Sequence, residues 1–426
     1  MKHGYKQTEV GVIPEEWELK RLDALADIRS GGTPSTDEPR FWGGDIPWCT
    51  PTDVTALNGY KYLGETARMI TKLGLKASSA EMIPSHSVVM TSRATIGECA
   101  INSVPVSTNQ GFKNFIPFAA TDVDFLYYLL GTQKQRFVSL CGGSTFLEIG
   151  KTQLSAFRVQ FPPTKSEQRA IATTLSDVDL LLNGLERLIA KKRNLKQAAM
   201  QQLLTGRTRL LGFKGEWESV RFERLCATFT KQTGFDYTTH IKPTLITEKR
   251  PDFLPFIQNK DFEGARVNLD TDYYIPERVA VMFPTILLDK PCLLISISGK
   301  IGNVGVFSST QPAFIGGAVA VAKFIDSTKL DWTMFYLQSE DGQKKLRKDV
   351  KAGSHQNLIL EDIRKLIVPM PLQNERSAIT SLLRDIDDEI FELQRRYIKT
   401  ENIKQAMMQE LLTGKTRLVA TEAACV

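Results

Sequence analysis

A long segment that occurs twice constrains this chain more than any other feature. The sequence KQAAMQQLLTGRTRL at residues 196–210 returns as KQAMMQELLTGKTRL at residues 404–418. The same offset of 208 positions holds upstream, where it superposes Glu167 on Glu375 and Asp179 on Asp387. A gap-free copy of about 45 residues makes the chain a tandem of two half-molecules. The remaining sequence differs between the halves, which predicts one shared framework that supports two divergent modules.

Composition excludes several classes of protein. The chain has 426 residues, of which 42% are apolar, and it contains no run of about 18 apolar residues such as a membrane span requires. Its first residues, MKHGYKQTEVGVIPEEW, lack the apolar stretch and the small-residue cleavage site of a secretory signal. We therefore expect a soluble, cytoplasmic protein with no membrane partner.

The cysteine, histidine and charge content is equally restrictive. Six cysteines and four histidines are scattered along the chain without a CxxC pair, so neither a disulfide framework nor a metal site is predicted. The formal charge of +6 is compatible with a polyanionic partner such as nucleic acid. Many proteins with other partners reach the same charge, so this value alone does not identify the partner.

Apolar residues in and upstream of the repeated segment recur in alternating steps of four and three, which is the a/d seam of a heptad pattern. In the first copy the seam consists of Ile171, Leu175, Val178, Leu182, Leu185 and Ile189. In the second copy it consists of Ile379, Leu383, Ile386, Ile390 and Leu393. Core packing explains such a stripe on a helix of ordinary length, whereas two matched stripes predict that the helices pair with each other.

Helix-end signals fix the length of these predicted helices. Prolines precede each stretch, Ser166 and Asn374 are candidate N-caps, and Gly206 and Gly414 mark the ends. A helix from about residue 166 to about residue 204 would be about 58 Å long. Because the chain must return between the two copies, we expect an antiparallel coiled coil that holds two modules apart.

The chain therefore divides into module, helix, module and helix. We predict module 1 at residues 1–160, a first spacer helix at 161–210, module 2 at 211–368, a second spacer helix at 369–418 and a tail at 419–426. Both modules mix short strand-like runs with turns and short helices, so the predicted fold class is α+β. Each module begins alike, with Trp17 and Trp217 in matching EWE segments, and we expect these tryptophans to anchor the module on its core.

The sequence contains no complete catalytic motif among those considered below. The GKT at residues 414–416 resembles the end of a phosphate loop, but position 409 is glutamine where that motif needs glycine, and the segment follows a helix. The sequence contains no HExxH or GxSxG motif. Glu18 and Lys20 have the local spacing of a nuclease centre without the upstream acidic partner. We predict that the chain is not itself an enzyme.

Glycine-rich loops in both modules present hydroxyls, amides and cations of the kind that contact phosphates and base edges. In module 1 the candidate DNA-binding residues are Thr33, Ser35, Arg40, Trp42, Ser92, Arg93, Asn109 and Gln110. In module 2 they are Gln258, Asn259, Lys260, Ser298 and Lys300. Ordinary turn chemistry, in which glycine and asparagine supply positive φ, remains the alternative for each loop.

These motifs together resemble one known family, the specificity (S, or HsdS) subunits of type I restriction-modification systems. The resemblance spans essentially the whole chain and rests on GGTPS followed by FWGGDIPW, on TSRATIG, STNQGF and PPTKSEQRAIA, and on the repeated LLTG. Module 2 departs from it, with SISGKIG in place of TSRATIG and FIGGAVAV in place of STNQGF. Different half-sites would require such divergence between the modules.

The resemblance implies a division of labour. Each module would be a target recognition domain that reads one half of a bipartite, asymmetric DNA sequence, and the paired helices would set the spacer between the halves. Two methyltransferase (M) subunits would bind S-adenosylmethionine and methylate adenine. Two restriction (R) subunits would add ATP-driven translocation and cleavage, with Mg²⁺. The chain itself would then need no cofactor.

Three alternatives stay open from the sequence. A stand-alone DNA-binding regulator would share the modules without needing partner-facing helices. A scaffold built on the coiled coil would have no salt-dependent affinity for DNA. A self-sufficient nuclease or methyltransferase would act alone, and the missing motifs count against it.

Overall fold

The computed structural model describes residues 4–141, 147–348 and 357–418, so the predicted tail lies outside the described residues. The chain forms two compact units. Unit 1 comprises Met1–Arg187 together with Arg395–Val426, and unit 2 comprises Leu188–Gln394. Each unit therefore contains one module, the beginning of the helix that follows it and the end of the other long helix. Among the described helices, none has the length and apolarity needed to cross a bilayer.

In the part of unit 1 that the structure describes, twelve strands and five short α-helices accompany the long helices. The strands are Tyr5–Thr8 (β1), Gly11–Pro14 (β2), Glu18–Arg21 (β3), Ala26–Ser30 (β4), Trp42–Cys49 (β5), Tyr62–Leu63 (β6), Arg68–Ile70 (β7), Val88–Thr91 (β8), Cys99–Asn102 (β9), Ser107–Thr108 (β10), Phe112–Pro117 (β11) and Arg158–Phe161 (β12). The short helices are Pro51–Thr55 (α1), Lys72–Lys76 (α2), Val123–Thr132 (α3), Lys134–Ser139 (α4) and Lys151–Ala156 (α5).

Two sheets organise unit 1. The five-stranded sheet has the order β4-β11-β8-β9-β6, antiparallel except for the parallel pair β9 and β6. Every residue of β8 is buried, so this strand reads as a continuous apolar run covered on both faces. The three-stranded sheet has the order β10-β5-β7, with β10 parallel and β7 antiparallel to β5. Helix α3 begins at an Asp122 cap and packs its aromatic face into the core.

The first long helix, Lys165–Leu203 (α6), begins in unit 1 and ends in unit 2. Unit 2 has the strands Glu218–Arg221 (β13), Cys226–Lys231 (β14), Phe253–Ile257 (β15), Phe262–Glu263 (β16), Arg266–Val267 (β17), Tyr274–Pro276 (β18), Leu287–Leu288 (β19), Cys292–Ser296 (β20), Val304–Phe307 (β21), Ala313–Ile315 (β22), Val319–Phe324 (β23) and Ile367–Met370 (β24). Its helices are Phe222–Leu225 (α7), Gly234–Asp236 (α8), Glu277–Ala280 (α9), Leu330–Gln338 (α10), Glu340–Leu346 (α11) and Leu360–Arg364 (α12), and Gln373–Leu411 (α13) is the second long helix.

Unit 2 repeats the plan of unit 1. The antiparallel sheet β14-β23-β20-β21 corresponds to β4-β11-β8-β9. A second sheet, β18-β15-β22-β19, again places a parallel and an antiparallel neighbour on either side of its strand β15. In both units the strand before a long helix pairs with the strand after the repeated tryptophan, as β12 with β3 and β24 with β13. The predicted α+β class is confirmed.

The two long helices have equal length, 39 residues each. They start slightly earlier than predicted, so Ser166 and Asn374 lie inside the first turn and are not N-caps. Thr164 takes that role in the first helix, where its hydroxyl oxygen accepts a hydrogen bond from the Glu167 amide at 3.3 Å. Beyond the helix ends, Gly206 and Gly414 have φ of 70° and 72°, the left-handed conformation that favours glycine after a helix.

Helix segments pair antiparallel inside each unit. In unit 1, Lys404 of α13 forms an ion pair with Asp179 of α6 at 2.5 Å. In unit 2, the equivalent Lys196 of α6 pairs with Asp387 of α13 at 2.6 Å. A second contact joins Tyr397 to Glu186 in unit 1, and another joins Lys192 to Glu389 in unit 2. Within each unit, residue numbers therefore rise along one helix as they fall along the other, which confirms the predicted antiparallel pairing.

The seam residues are on the covered side of these helices. Ile171, Leu175, Ile379 and Leu383 are fully buried within the core of their own unit, so the start of each seam packs against the globular module. Leu182, Leu185, Ile189 and Ile390 are also buried, and Val178, Ile386 and Leu393 are half-buried.

A buried carboxylate marks the junction of module and helices in each unit. In unit 1, Glu167 accepts a hydrogen bond from the Trp17 indole at 3.3 Å and pairs with Arg417, which follows the end of α13. In unit 2, Glu375 accepts from the Trp217 indole at 3.1 Å and pairs with Arg209, which follows the end of α6. The tryptophans thus anchor their modules, as predicted, and also hold the start of one helix to the end of the other.

We expect Arg417→Ala to lower the free energy of unfolding by about 3 kcal/mol, because it leaves the buried Glu167 carboxylate without its cation. Chemical denaturation followed by tryptophan fluorescence measures this change. The matched variant Arg417→Ala with Glu167→Gln removes the charge as well and should recover part of the loss. A double variant that is as unstable as the single one would contradict this explanation.

Candidate nucleic-acid interface

Three of the predicted loops meet in unit 1. The Gly32 amide donates to the Thr108 carbonyl at 2.9 Å, and the Ser92 amide donates to the Gly111 carbonyl at 2.7 Å. The GGTPS loop, the TSRATIG loop and the STNQGF loop therefore lie side by side where β8, β10 and β11 begin or end. The neighbouring strand β5 joins them, because the Trp48 indole donates to the Gly32 carbonyl at 3.0 Å.

Close approach of backbones explains the glycines of GGTPS. A Cβ atom at Gly31 would lie 1.9 Å from the Asn109 carbonyl oxygen, and one at Gly32 would lie 2.4 Å from the Ala80 nitrogen. Any larger residue would push these loops apart. The two glycines are therefore a structural requirement for the cluster.

Four predicted residues of this cluster are at least partly exposed and engage in local hydrogen bonds. Thr33 and Gln110 contact each other through their side-chain oxygens. The exposed Ser35 uses its carbonyl to accept from the Trp42 indole at 3.0 Å. The Asn109 side-chain oxygen accepts from the Gly111 amide at 2.9 Å, which is a turn contact and leaves the amide NH2 available.

Both arginines predicted in module 1 face a carboxylate. Arg40 pairs with Glu38 at 2.9 Å, and Arg93 pairs with Glu148 at 2.8 Å while half of its side chain stays exposed. Sequence reasoning missed Glu148, which is far from Arg93 along the chain and close to it only in the fold. The pair is supported by backbone pairing of the two residues in an isolated bridge.

Ser92, which the sequence analysis predicted to contact DNA, has to be removed from the candidate interface. It is fully buried, and its hydroxyl lies 3.5 Å from the Lys113 amine, so it has no exposed surface for DNA. Burial lowers the pKa of Lys113, whose amine also lies 3.6 Å from the Glu148 carboxylate. Sequence reasoning missed Lys113 because it is placed within a strand that reads as core.

The predicted residues of module 2 form the corresponding cluster in unit 2. Gln258, Asn259 and Lys260 make a short turn that is closed by the Asp261 carboxylate, which accepts from the Gln258 amide at 2.7 Å. Burial raises the pKa of Asp261 above its usual value. The Asn259 side-chain amide donates to the Ser298 carbonyl, so the two predicted segments are in contact. Lys260 is exposed and pairs with Asp272.

The TSRATIG and SISGKIG loops have the same backbone conformation. The Gly97 amide donates to the Thr91 carbonyl at 2.9 Å, and the Gly302 amide donates to the Ser296 carbonyl at the same distance. Ala94 and Gly299 occupy matching left-handed positions with φ of 55° and 73°.

This equivalence assigns the counterparts of the predicted residues. Arg93 corresponds to Ser298, and each makes an isolated bridge, to Glu148 and to Asn357 respectively. Ser92 corresponds to Ile297, which is also buried, so this loop position faces inward in both units. Lys300, which corresponds to Thr95, is exposed.

Among the described residues, no group of three or more His, Cys, Asp and Glu side chains is arranged to hold a metal ion.

The family model and the known relatives that match this chain all carry the same description, that of type I specificity domains or subunits. A family model described as the type I restriction modification DNA specificity domain matches residues 14–196. The chain is 27% identical to the type I restriction enzyme MjaIX specificity subunit of Methanocaldococcus jannaschii, over 97% of this chain and 96% of that relative. It is 29% identical to the EcoR124I/EcoR124II specificity subunit of Escherichia coli, over 43% of this chain and 46% of that relative.

Solved structures share the fold. A crystal structure of a type I restriction-modification S subunit from M. genitalium has a TM-score of 0.59, with 93% of this chain and 96% of that chain covered at 16% identity. A chain from a structure of type I R-M complex assembly has a TM-score of 0.56, with 95% and 99% covered at 18% identity. Residues 14–196 thus match the type I restriction modification DNA specificity domain, and the chain as a whole is similar to the specificity subunits of type I restriction-modification systems.

Proposed function

We propose that this chain is the non-catalytic, DNA-reading subunit of a type I restriction-modification complex in the cytoplasm. Each module reads one half of a split, asymmetric sequence. The observation that supports this most directly is one loop framework that occurs twice with different side chains, Arg93 in module 1 and Ser298 in module 2. An arginine fork and a serine hydroxyl select different base edges, so two copies of one frame read two different half-sites.

The long helices set the spacer between the half-sites. Each continues for 39 residues without interruption, and the ion pairs at Asp179 and Asp387 hold the pairing in register in each unit. A paired helix has a fixed rise of 1.5 Å per residue, so its length translates into a fixed number of base pairs. A flexible linker would permit several spacings.

The outward sides of the long helices are the docking surface for methyltransferase subunits. Several apolar residues on them are exposed outside the seam: Leu180, Leu181, Leu188, Leu195, Leu382, Ile398 and Ile403. Exposed apolar residues on otherwise polar helices are typical of protein interfaces. Because the helices repeat each other, two M subunits bind to equivalent sites, and two R subunits join them. S-adenosylmethionine, ATP and Mg²⁺ bind to those partners.

Mapping methyladenine in cells that co-express this chain with its cognate M subunit tests the proposal. We expect one split, asymmetric motif with a fixed gap, detected by single-molecule sequencing. Absence of new methylation despite a soluble complex would favour the alternative that the chain is a scaffold built on the coiled coil. DNA binding without co-purification of the M subunit would favour the alternative that the chain is a stand-alone DNA-binding regulator.

Insertion of one heptad after Arg187 and one after Gln394 tests the role of helix length. Seven residues keep the seam in register and lengthen each helix by about 10.5 Å. At about 3.4 Å per base pair, we expect the gap in the methylated motif to grow by about three base pairs with both half-sites unchanged. A gap that stays the same would refute the spacer role.

Arg93→Ala tests the predicted interface in module 1. We expect loss of about 1–3 kcal/mol of DNA-binding free energy, measured by titration of labelled duplex at fixed salt. Arg158→Ala is the matched control, because Arg158 is another exposed arginine of the same unit and pairs with Glu9. Equal affinities for wild type and Arg93→Ala would remove Arg93 from the interface.

A further inference from the structure

An aromatic platform in module 1 holds an arginine that the sequence motifs did not identify. The Arg68 guanidinium carbon lies 3.8 Å from the centre of the Trp42 ring and 5.1 Å from that of Trp48. The two tryptophans meet edge to face, with ring centres 4.9 Å apart and planes at 85°. Trp48 is buried, and both indole N–H groups donate to carbonyls of the GGTPS loop, at Ser35 and Gly32. The platform is therefore rigid and attached to the candidate interface.

The two glycines of FWGGDIPW build this platform. Trp42 and Ile46 both lie opposite Ile70, so the intervening residues form a bulge in β5. Gly43 has φ of 75°, and a Cβ atom at Gly44 would lie 2.5 Å from the Ile70 carbonyl oxygen. The bulge returns Trp42 to the side of Trp48, directly beneath Arg68.

Arg68 differs from the other arginines of module 1 in its lack of a polar partner. Five of the seven form ion pairs with carboxylates: Arg21, Arg29, Arg40, Arg93 and Arg158. Arg136 donates to the Gln133 side chain and to a backbone carbonyl. The Arg68 side chain is exposed on the edge strand β7, and its guanidinium has no hydrogen bond or ion pair to any residue that the structure describes.

We propose that Arg68 reads a guanine in the half-site recognised by module 1, with its N–H groups donating to O6 and N7. This inference rests on the proposed function. A bidentate contact requires a guanidinium whose plane is fixed, and stacking on Trp42 fixes it before DNA binds. A phosphate contact would fix the position of the protein on the duplex without discriminating between bases, and a lysine can make it as a point charge. The absence of a competing carboxylate leaves all the donors of the fork available.

The variants Arg68→Ala and Arg68→Lys test this assignment in cells that co-express the cognate M subunit. Single-molecule sequencing of methyladenine gives the recognised motif for each variant. We expect both variants to relax one G·C position in one half-site, with discrimination there reduced by about 5- to 150-fold. The other half-site and the gap should stay unchanged. Arg68→Lys keeps the charge and the fold, so its relaxation isolates the role of the fork.

Arg21→Ala is the matched control, an exposed arginine of the same module that pairs with Asp23, and it should leave the motif unchanged. Full discrimination in Arg68→Lys, or a uniform loss of methylation with the motif intact in Arg68→Ala, would mean a phosphate contact and overturn the inference. In either case the wild-type split motif still stands. Failure of the wild-type complex to methylate any split motif would instead overturn the proposed function, and the inference with it.

Discussion

The structure depends on a buried carboxylate at the start of each long helix. Glu167 and Glu375 are almost completely excluded from solvent, and each is satisfied by a tryptophan indole from the module and an arginine from beyond the end of the opposite helix. An unpaired charge at this depth would be strongly destabilising, so all three groups must be in place together. The contacts of each buried glutamate thus hold together a module, the helix that follows it and the end of the other helix.

Around these junctions, the two units keep one backbone and change its side chains. The loops that contain Gly97 and Gly302 share a backbone hydrogen bond and a left-handed conformation at one position. At the position before it they present different side chains, Arg93 and Ser298. The shared backbone geometry needs glycine and a few hydroxyls, whereas the side chain at the position of Arg93 and Ser298 differs between the units. Under the proposed function, exchange of side chains on this fixed frame would change the DNA target.

The arginines of module 1 differ in whether their guanidinium groups are paired with a carboxylate. Most exposed arginines of module 1 pair with a nearby carboxylate, which weakens their attraction for an external phosphate until that pair is broken. Arg68 is held instead by the face of Trp42, which orients the guanidinium without using its N–H donors.

The sequence by itself determined the repeat, the α+β class, the existence of both long helices, the ends of the first one to within about one residue and their antiparallel pairing, because these follow from local periodicity and chain return. Only the tertiary structure decided which side chains are available at the interface. Ser92 is buried, Glu148 covers Arg93, and Arg68 stacks on Trp42. The physical reason is that exposure and ion pairing depend on residues distant in sequence, which no local pattern records.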